Sequence, residues 1–156
     1  GMDETEIVSG APSYVISFNG SGSFGAEGIT FRHDGTQMAD VVVIERGTGD
    51  FRDCRFTGAM YEEGKGNRAG LRFSGSSRGS VENCEASGND NTGILVEKQA
   101  QPELRSNICS DNAVVGIGYM IGLISASSGM TMLRAMSGRP GYPRSCMLLS
   151  PSRRIS

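Results

Sequence analysis

Gly70, Gly93 and Gly116 stand 23 residues apart, twice in succession. Each opens the same short pattern: Gly70-Leu71-Arg72-Phe73, Gly93-Ile94-Leu95-Val96, Gly116-Ile117-Gly118-Tyr119. A fixed period of this size restricts a chain to stacked repeats, because one unit alone cannot bury its apolar face and needs its neighbours to do so. The register runs past the glycines. Phe51, Val81 and Leu104 follow Val43, Phe73 and Val96 by eight positions. Two positions later come the small polar residues Asp53, Asn83 and Ser106, then Cys54, Cys84 and Asn107, then Phe56, Ala86 and Cys109. An earlier unit aligns Ile16-Ser17-Phe18 with Val41-Val42-Val43 and is completed by Ala26, Gly28, Ile29 and Phe31. Five starts follow, at Ile16, Val41, Leu71, Ile94 and Ile117, with intervals of 25, 30, 23 and 23. The long unit carries its extra residues between Phe56 and Leu71.

Each unit holds three strand-like pieces. The first alternates, as in Ile94-x-Val96, so one side faces inward. The others are apolar at single positions and are separated by a polar corner. No helical periodicity persists over ten residues in this stretch, glycine is abundant (23) and Trp is absent. Short strands with a corner every few residues fit a coil of three strands per turn. The stretch from about Tyr14 to Met120 resembles the right-handed parallel β-helix superfamily, the pectin-lyase-like group that includes carbohydrate-binding and sugar-hydrolase repeats. The resemblance rests on Asp53-Cys54-x-Phe56, Asn83-Cys84-x-Ala86 and Ser106-Asn107-x-Cys109. It rests also on Gly-Ile-x-Val with Gln99-Ala100-Gln101-Pro102-x-Leu104. It implies an all-β solenoid of about five short coils with an irregular or short-helix C-terminal cap. Equivalent residues then stack about 4.8 Å apart in columns. Ile16, Val41, Leu71, Ile94 and Ile117 form one interior column, and Phe18, Val43, Phe73, Val96 and Tyr119 another. Ala26, Phe51, Val81 and Leu104 fill the second sheet, and Phe31, Phe56, Ala86 and Cys109 the third. Asp53, Asn83 and Ser106 take the tight corner, where small polar side chains bond neighbouring backbone and tolerate left-handed conformations.

The organisation expected is a lead-in over 1–13, coils over 14–120 and a cap or tail over 121–156. Gly1-Met2 reads as a remnant of protease cleavage, so the lack of a signal peptide at the start does not fix a compartment. No run of 18 apolar residues exists, so no membrane partner is expected. Residues 1–111 hold all 17 acids against 10 bases, and the last 45 residues hold five Arg and no acid. An acidic body argues against a nucleic-acid groove. The cysteines are expected as free buried thiols: Cys54 and Cys84 sit on adjacent turns, where parallel Cβ vectors suit a bridge poorly. With the single His33, no zinc spacing exists.

After Met120 the repeat fails, since Ser127 stands where Leu104 plus 23 needs an apolar residue. Two readings of the tail stand side by side. In one, Ser127-Ser128 caps a short helix, Met130 to Met136, closed by Gly138. In the other, the joint loss of acids and repeat marks an out-of-frame tail.

In lyases of the resembled family, the cleft lies along the first sheet, uses a basic residue and often holds Ca²⁺ on acids. The outward positions here are Ser17, Val42, Arg72, Leu95 and Gly118, then Asn19, Ile44, Ser74, Glu97 and Met120. Only Arg72 and Glu97 are charged, so the calcium pattern does not carry over. No catalytic residue, metal ligand or cofactor is assigned, and Ca²⁺ enters only under a lyase alternative. A glycosidase needs two carboxylates at a set separation. Glu62 or Glu63 with Glu97 allows such a pair, and a solvated charged loop accounts for the same residues. The insertion from Gly58 to Arg68 is the place for a binding face. Its candidates are Tyr61, Glu62, Glu63, Lys65 and Arg68, beside Arg72, Glu97 and Lys98. Arg72, facing out, is expected to tolerate Ala at under about 0.5 kcal/mol. Val42, Ile44 and Leu95 form an outward apolar strip, for the tail, a partner or a second copy to cover. The reading is a non-catalytic repeat module that binds a glycan or a protein, or serves as a structural segment. The alternative is a small polysaccharide-active enzyme.

Overall fold

The structure, a computed structural model, describes residues 2–121 and 131–134. The strands are β1 (Glu6–Ser9), β2 (Ser13–Glu27), β3 (Thr30–His33), β4 (Ala39–Arg52), β5 (Arg55–Thr57), β6 (Ala69–Phe73) and β7 (Arg78–Glu82). They continue with β8 (Glu85–Ser87), β9 (Thr92–Glu97), β10 (Gln101–Arg105), β11 (Ile108–Ser110), β12 (Val115–Ile121) and β13 (Thr131–Arg134). They wind into a coil with three faces. The first face stacks β2, β4, β6, β9 and β12, all parallel. The second stacks the far ends of β2 and β4 with β7 and β10. The third runs β1-β3-β5-β8-β11. In the first two turns, one long bent strand serves both the first and second faces, where the sequence pattern suggested two pieces. The lead-in contributes β1, which pairs with β3 from Glu6↔Thr30 to Ser9↔His33. No described helix is long and apolar enough to cross a membrane.

The corners follow from backbone chemistry. Gly28, Asp53, Asn83 and Ser106 have φ of 68°, 50°, 52° and 53°, the left-handed conformation expected of the last three. That turn aims each amide at the coil above: Asp53 N donates to Glu82 O (3.1 Å) and Asn83 N to Arg105 O (3.1 Å). The next residue points inward and must satisfy buried backbone. Asn107 does so with both ends of its amide, accepting from Cys84 N (2.9 Å) and donating to Val81 O (2.9 Å). A second ladder joins Asn89 Nδ2 to Asn112 Oδ1 (2.9 Å) at the opposite corner. A Cβ on Gly70 would lie 2.8 Å from Asn89 Nδ2, and one on Gly93 2.7 Å from Asn112 Nδ2. The repeating glycines thus leave room for the asparagines. Cys54, Cys84 and Cys109 are buried, and Cys54 and Cys84 form no bridge, as expected. Cys146 lies outside the described residues.

The second- and third-face columns match the expectation: Ala26↔Phe51↔Val81↔Leu104 and Phe31↔Phe56↔Ala86↔Cys109. Phe31 and Phe56 stack at 5.6 Å, and Phe51 meets them edge-on at 6.4 and 5.3 Å. On the first face β4 sits one residue from its expected register. Ile16↔Val42↔Leu71 and Phe18↔Ile44↔Phe73 are the pairs. Val42 and Ile44 therefore belong to the core, and the outward apolar strip does not exist as read. Its outward members are Val43 and Leu95, both buried. Val41 also reaches the core.

At the C-terminal end, Thr131–Arg134 is a strand antiparallel to β12, from Gly118↔Arg134 to Ile121↔Thr131. Four residues read as part of a capping helix are thus extended. An open sheet edge offers them a full ladder of hydrogen bonds, which one isolated helical turn cannot match. The rest of that helix and the out-of-frame reading of the tail fall outside the described residues.

Candidate functional site

The insertion between β5 and β6 is anchored at both ends. Gly58 has φ of 85°, and a Cβ there would lie 2.2 Å from His33 O. Ala59 is buried. It accepts Asn89's position in its own turn, and its amide donates to Asn89 Oδ1 (3.0 Å). Met60 and Ala39 exchange both backbone bonds at 3.0 Å in an isolated antiparallel bridge. Beyond it Tyr61 is half-buried, and Glu62, Glu63 and Lys65 are exposed on a turn closed by Lys65 N to Glu62 O (3.1 Å). At the far end, Asn67 Nδ2 lies 2.9 Å from Met120 Sδ, which brings the loop to an outward side chain of β12. Arg68 O then accepts from Thr92 N (3.1 Å), and β6 begins.

Beside this loop, the outer side of the first face carries an ionic cluster centred on Arg72. Its Nε and Nη2 donate to Glu97 Oε1 (3.1 and 2.6 Å), and its Nη1 donates to Asp40 Oδ2 (3.2 Å). Ser74 Oγ donates to the same Glu97 oxygen (2.9 Å), and Ala69 N to Asp40 Oδ1 (2.7 Å). The Asp40 side chain is 5% exposed and that of Glu97 12%. Arg68 Nε is 3.9 Å from Asp40 Oδ2 and is buried without a hydrogen-bond partner. Burial raises the Asp40 carboxyl above its usual range, against the charge of Arg72, the Ala69 amide and the charge of Arg68. For Arg72, burial works to lower the pKa, but the Asp40 charge and the Glu97 bonds outweigh it and raise it.

Of the residues singled out from sequence, Arg72, Glu97 and Arg68 come together. Tyr61, Glu62, Glu63, Lys65 and Lys98 make no side-chain hydrogen bond or ion pair among the described residues. Lys98 is exposed, with φ of 60°. Against the expectation that Arg72 is dispensable stands its pairing with the buried Asp40 and the partly buried Glu97. Asp40 was missed. The run Val41-Val42-Val43-Ile44 has no alternation to fix its register, and the misplaced start left Asp40 outside the sheet. Asn89 and Asn112 were missed too, although their 23-residue spacing is that of the glycines.

Chemically, Asp40, Arg72 and Glu97 are paired with one another, and Arg68 Nε is left over. Asp40 and Glu97 both engage Arg72, so they do not supply the set of oxygen ligands that Ca²⁺ takes. Among the described residues, no three His, Cys, Asp or Glu converge to hold a metal ion.

The family described as the right handed beta helix region matches residues 8–132. No curated protein and no solved structure matches the chain.

Proposed function

The chain belongs to the right-handed β-helix family, and from that premise we propose that it is a non-catalytic repeat module whose 58–68 loop binds a glycan. The observation that carries this reading is the division of labour on the first face. The charges of the buried Asp40 and the partly buried Arg72 and Glu97 satisfy one another. The neighbouring Tyr61, Glu62, Glu63 and Lys65 have no side-chain hydrogen bond or ion pair among the described residues. Tyr61 offers a ring face to a sugar, and the charged side chains offer donors and acceptors to hydroxyls. A surface loop on a rigid scaffold can present such groups without deforming the coil.

The test replaces 61–66 with a Gly-Ser linker. Met60 is kept, because its bridge to Ala39 anchors the loop. Glycans captured by the intact chain on an array should be lost by the variant, with an unchanged far-ultraviolet spectrum. Undiminished capture would overturn the reading, as would an intact chain that captures no glycan. The loop would then serve a protein partner or the coil itself.

A second reading, a small polysaccharide-active enzyme, is favoured by one observation. Asp40 has a raised carboxyl and shares a guanidinium with Glu97, and unequal carboxylates divide acid and base roles in glycoside chemistry. Release of reducing or unsaturated sugar ends by the native chain, and its loss in Asp40→Asn, would establish that reading instead.

A further inference from the structure

The outer side of the second face carries a groove of about 380 Å³, near the lower end of the range for small-ligand sites, about 300–1,000 Å³. Its floor is backbone, because Ala26 and Phe51 turn their side chains into the core. Its walls are two columns of side chains set by strand register. Glu27, Arg52 and Glu82 are aligned in one, and Gly25, Asp50 and Ser80 in the other. Gly25 breaks the second column. A Cβ there would meet only Asp50 O, at 3.5 Å, so neither crowding nor a left-handed backbone requires glycine. The missing side chain keeps the groove open between Glu27 and Asp50.

Three carboxylates face one guanidinium in this groove. Arg52 Nη2 lies 3.4 Å from Glu82 Oε2 in the same column, so part of its charge is taken up within its own wall. Asp50 Oδ1 accepts from Ser80 N (2.9 Å) and Ser80 Oγ (2.8 Å). That holds the carboxylate in place and leaves its second oxygen for a ligand. Glu27 makes no ion pair or hydrogen bond among the described residues. The groove therefore pairs two under-neutralised carboxylates on adjacent strands with a hydroxyl and a guanidinium. This set repels anionic sugars, accepts an ammonium, and offers donors and acceptors to hydroxyls.

We propose that this groove is a second ligand site, distinct from the loop, which takes a saccharide unit bearing a free amino group. The ammonium lies between Glu27 and Asp50 over Gly25, and the hydroxyls meet Ser80 and Arg52. This assignment stands independently of the loop reading, since it uses another face of the coil.

The full chain is titrated calorimetrically with a β-1,4-linked glucosamine tetramer, and in parallel with its fully N-acetylated counterpart. The glucosamine tetramer should bind, and acetylation, which removes the charge, should weaken binding by about tenfold or more. Glu27→Gln should weaken binding to a similar degree. Gly25→Val, which fills the gap with a residue suited to a strand, should abolish it. Replacing 61–66 should leave it unchanged, so a failed loop reading does not touch this one. Equal affinity for both tetramers would overturn the proposal, as would binding that survives Gly25→Val or no binding by the native chain. Thermal melts that match the native protein keep both single variants interpretable, since both positions are exposed.

Discussion

Phe73 is fully buried, aligned with Ile44 and Val96 and edge-on to Phe51 at 6.4 Å. Phe73→Ala should cost about 3–5 kcal/mol in a urea titration, because the stacked coils cannot close over the space left. Its neighbour Arg72 tests a different force. Arg72→Ala strands Asp40 and Glu97 in a poorly solvated place, and should cost about 2–3 kcal/mol, less than a fully buried pair because some exposure remains. A cost below about 0.5 kcal/mol would mean that water takes over the guanidinium's role. Asp40 adds a pH signature. Its carboxyl is raised in the folded state above its ordinary value of 3.8, so between those two values the folded chain binds more protons than the unfolded one. Its contribution to stability therefore grows as pH falls through the raised value and levels off below about 3.8. Asp40→Asn should remove that component, seen as a smaller gain, or a steeper loss, in urea midpoint than the native chain between about pH 7 and pH 4. Parallel native and variant profiles would show that Arg72 fully compensates the burial. The place of Phe73 in the core was legible from the alternation Leu71-x-Phe73, but the burial around Arg72 and Asp40 was not. A charged residue in a strand reads as solvent-facing, and only the fold reveals that a loop and a second strand remove the water.

At the scale of the element, legibility followed the regularity of the turns. Units three and four share one length, so Leu71, Ile94 and Ile117 could be aligned by counting, and their pairing agrees. The 30-residue unit hides its register behind an insertion. Within β4, four consecutive apolar residues provide no alternation, so a slip by one residue reversed the faces assigned to Val42 and Ile44. The corner residues were readable because a left-handed backbone selects a narrow set of side chains, whatever the packing. The same backbone logic supplies a test on the second face. Gly79 has φ of 134°, and a Cβ there would lie 1.9 Å from Gly49 O on the neighbouring strand. Gly79→Ala should destabilise the coil by more than about 3 kcal/mol or prevent its folding. In β2, Gly22 has nothing within 4 Å of its added Cβ, and Gly22→Ala should stay within about 0.5 kcal/mol. Comparable melting temperatures for the two variants would show that β4 and β7 separate at little cost.

At the scale of the whole molecule, the two ends of the coil are unlike. At the first, β1 and β2 each pair on one side only, with Ile7, Val8 and Tyr14 37%, 39% and 47% exposed among the described residues. At the other, β13 lies along β12 in the reverse direction. A parallel coil is in principle a one-dimensional crystal, whose every layer is a seed for the next. Strand β13 acts as a terminator on the first face: being antiparallel to β12, it runs the wrong way for a first-face strand to dock in parallel. At this end β10 and β11 each still pair on one side only among the described residues, so β13 stops parallel addition on one face of three. Open-ended fibres need two complementary open ends. Met132→Pro, which deletes one backbone donor of the terminating strand, should reopen the first-face edge and yield species whose mass in analytical ultracentrifugation climbs with concentration. A native chain that already forms such a series would show that reversed polarity at one edge does not arrest solenoid growth.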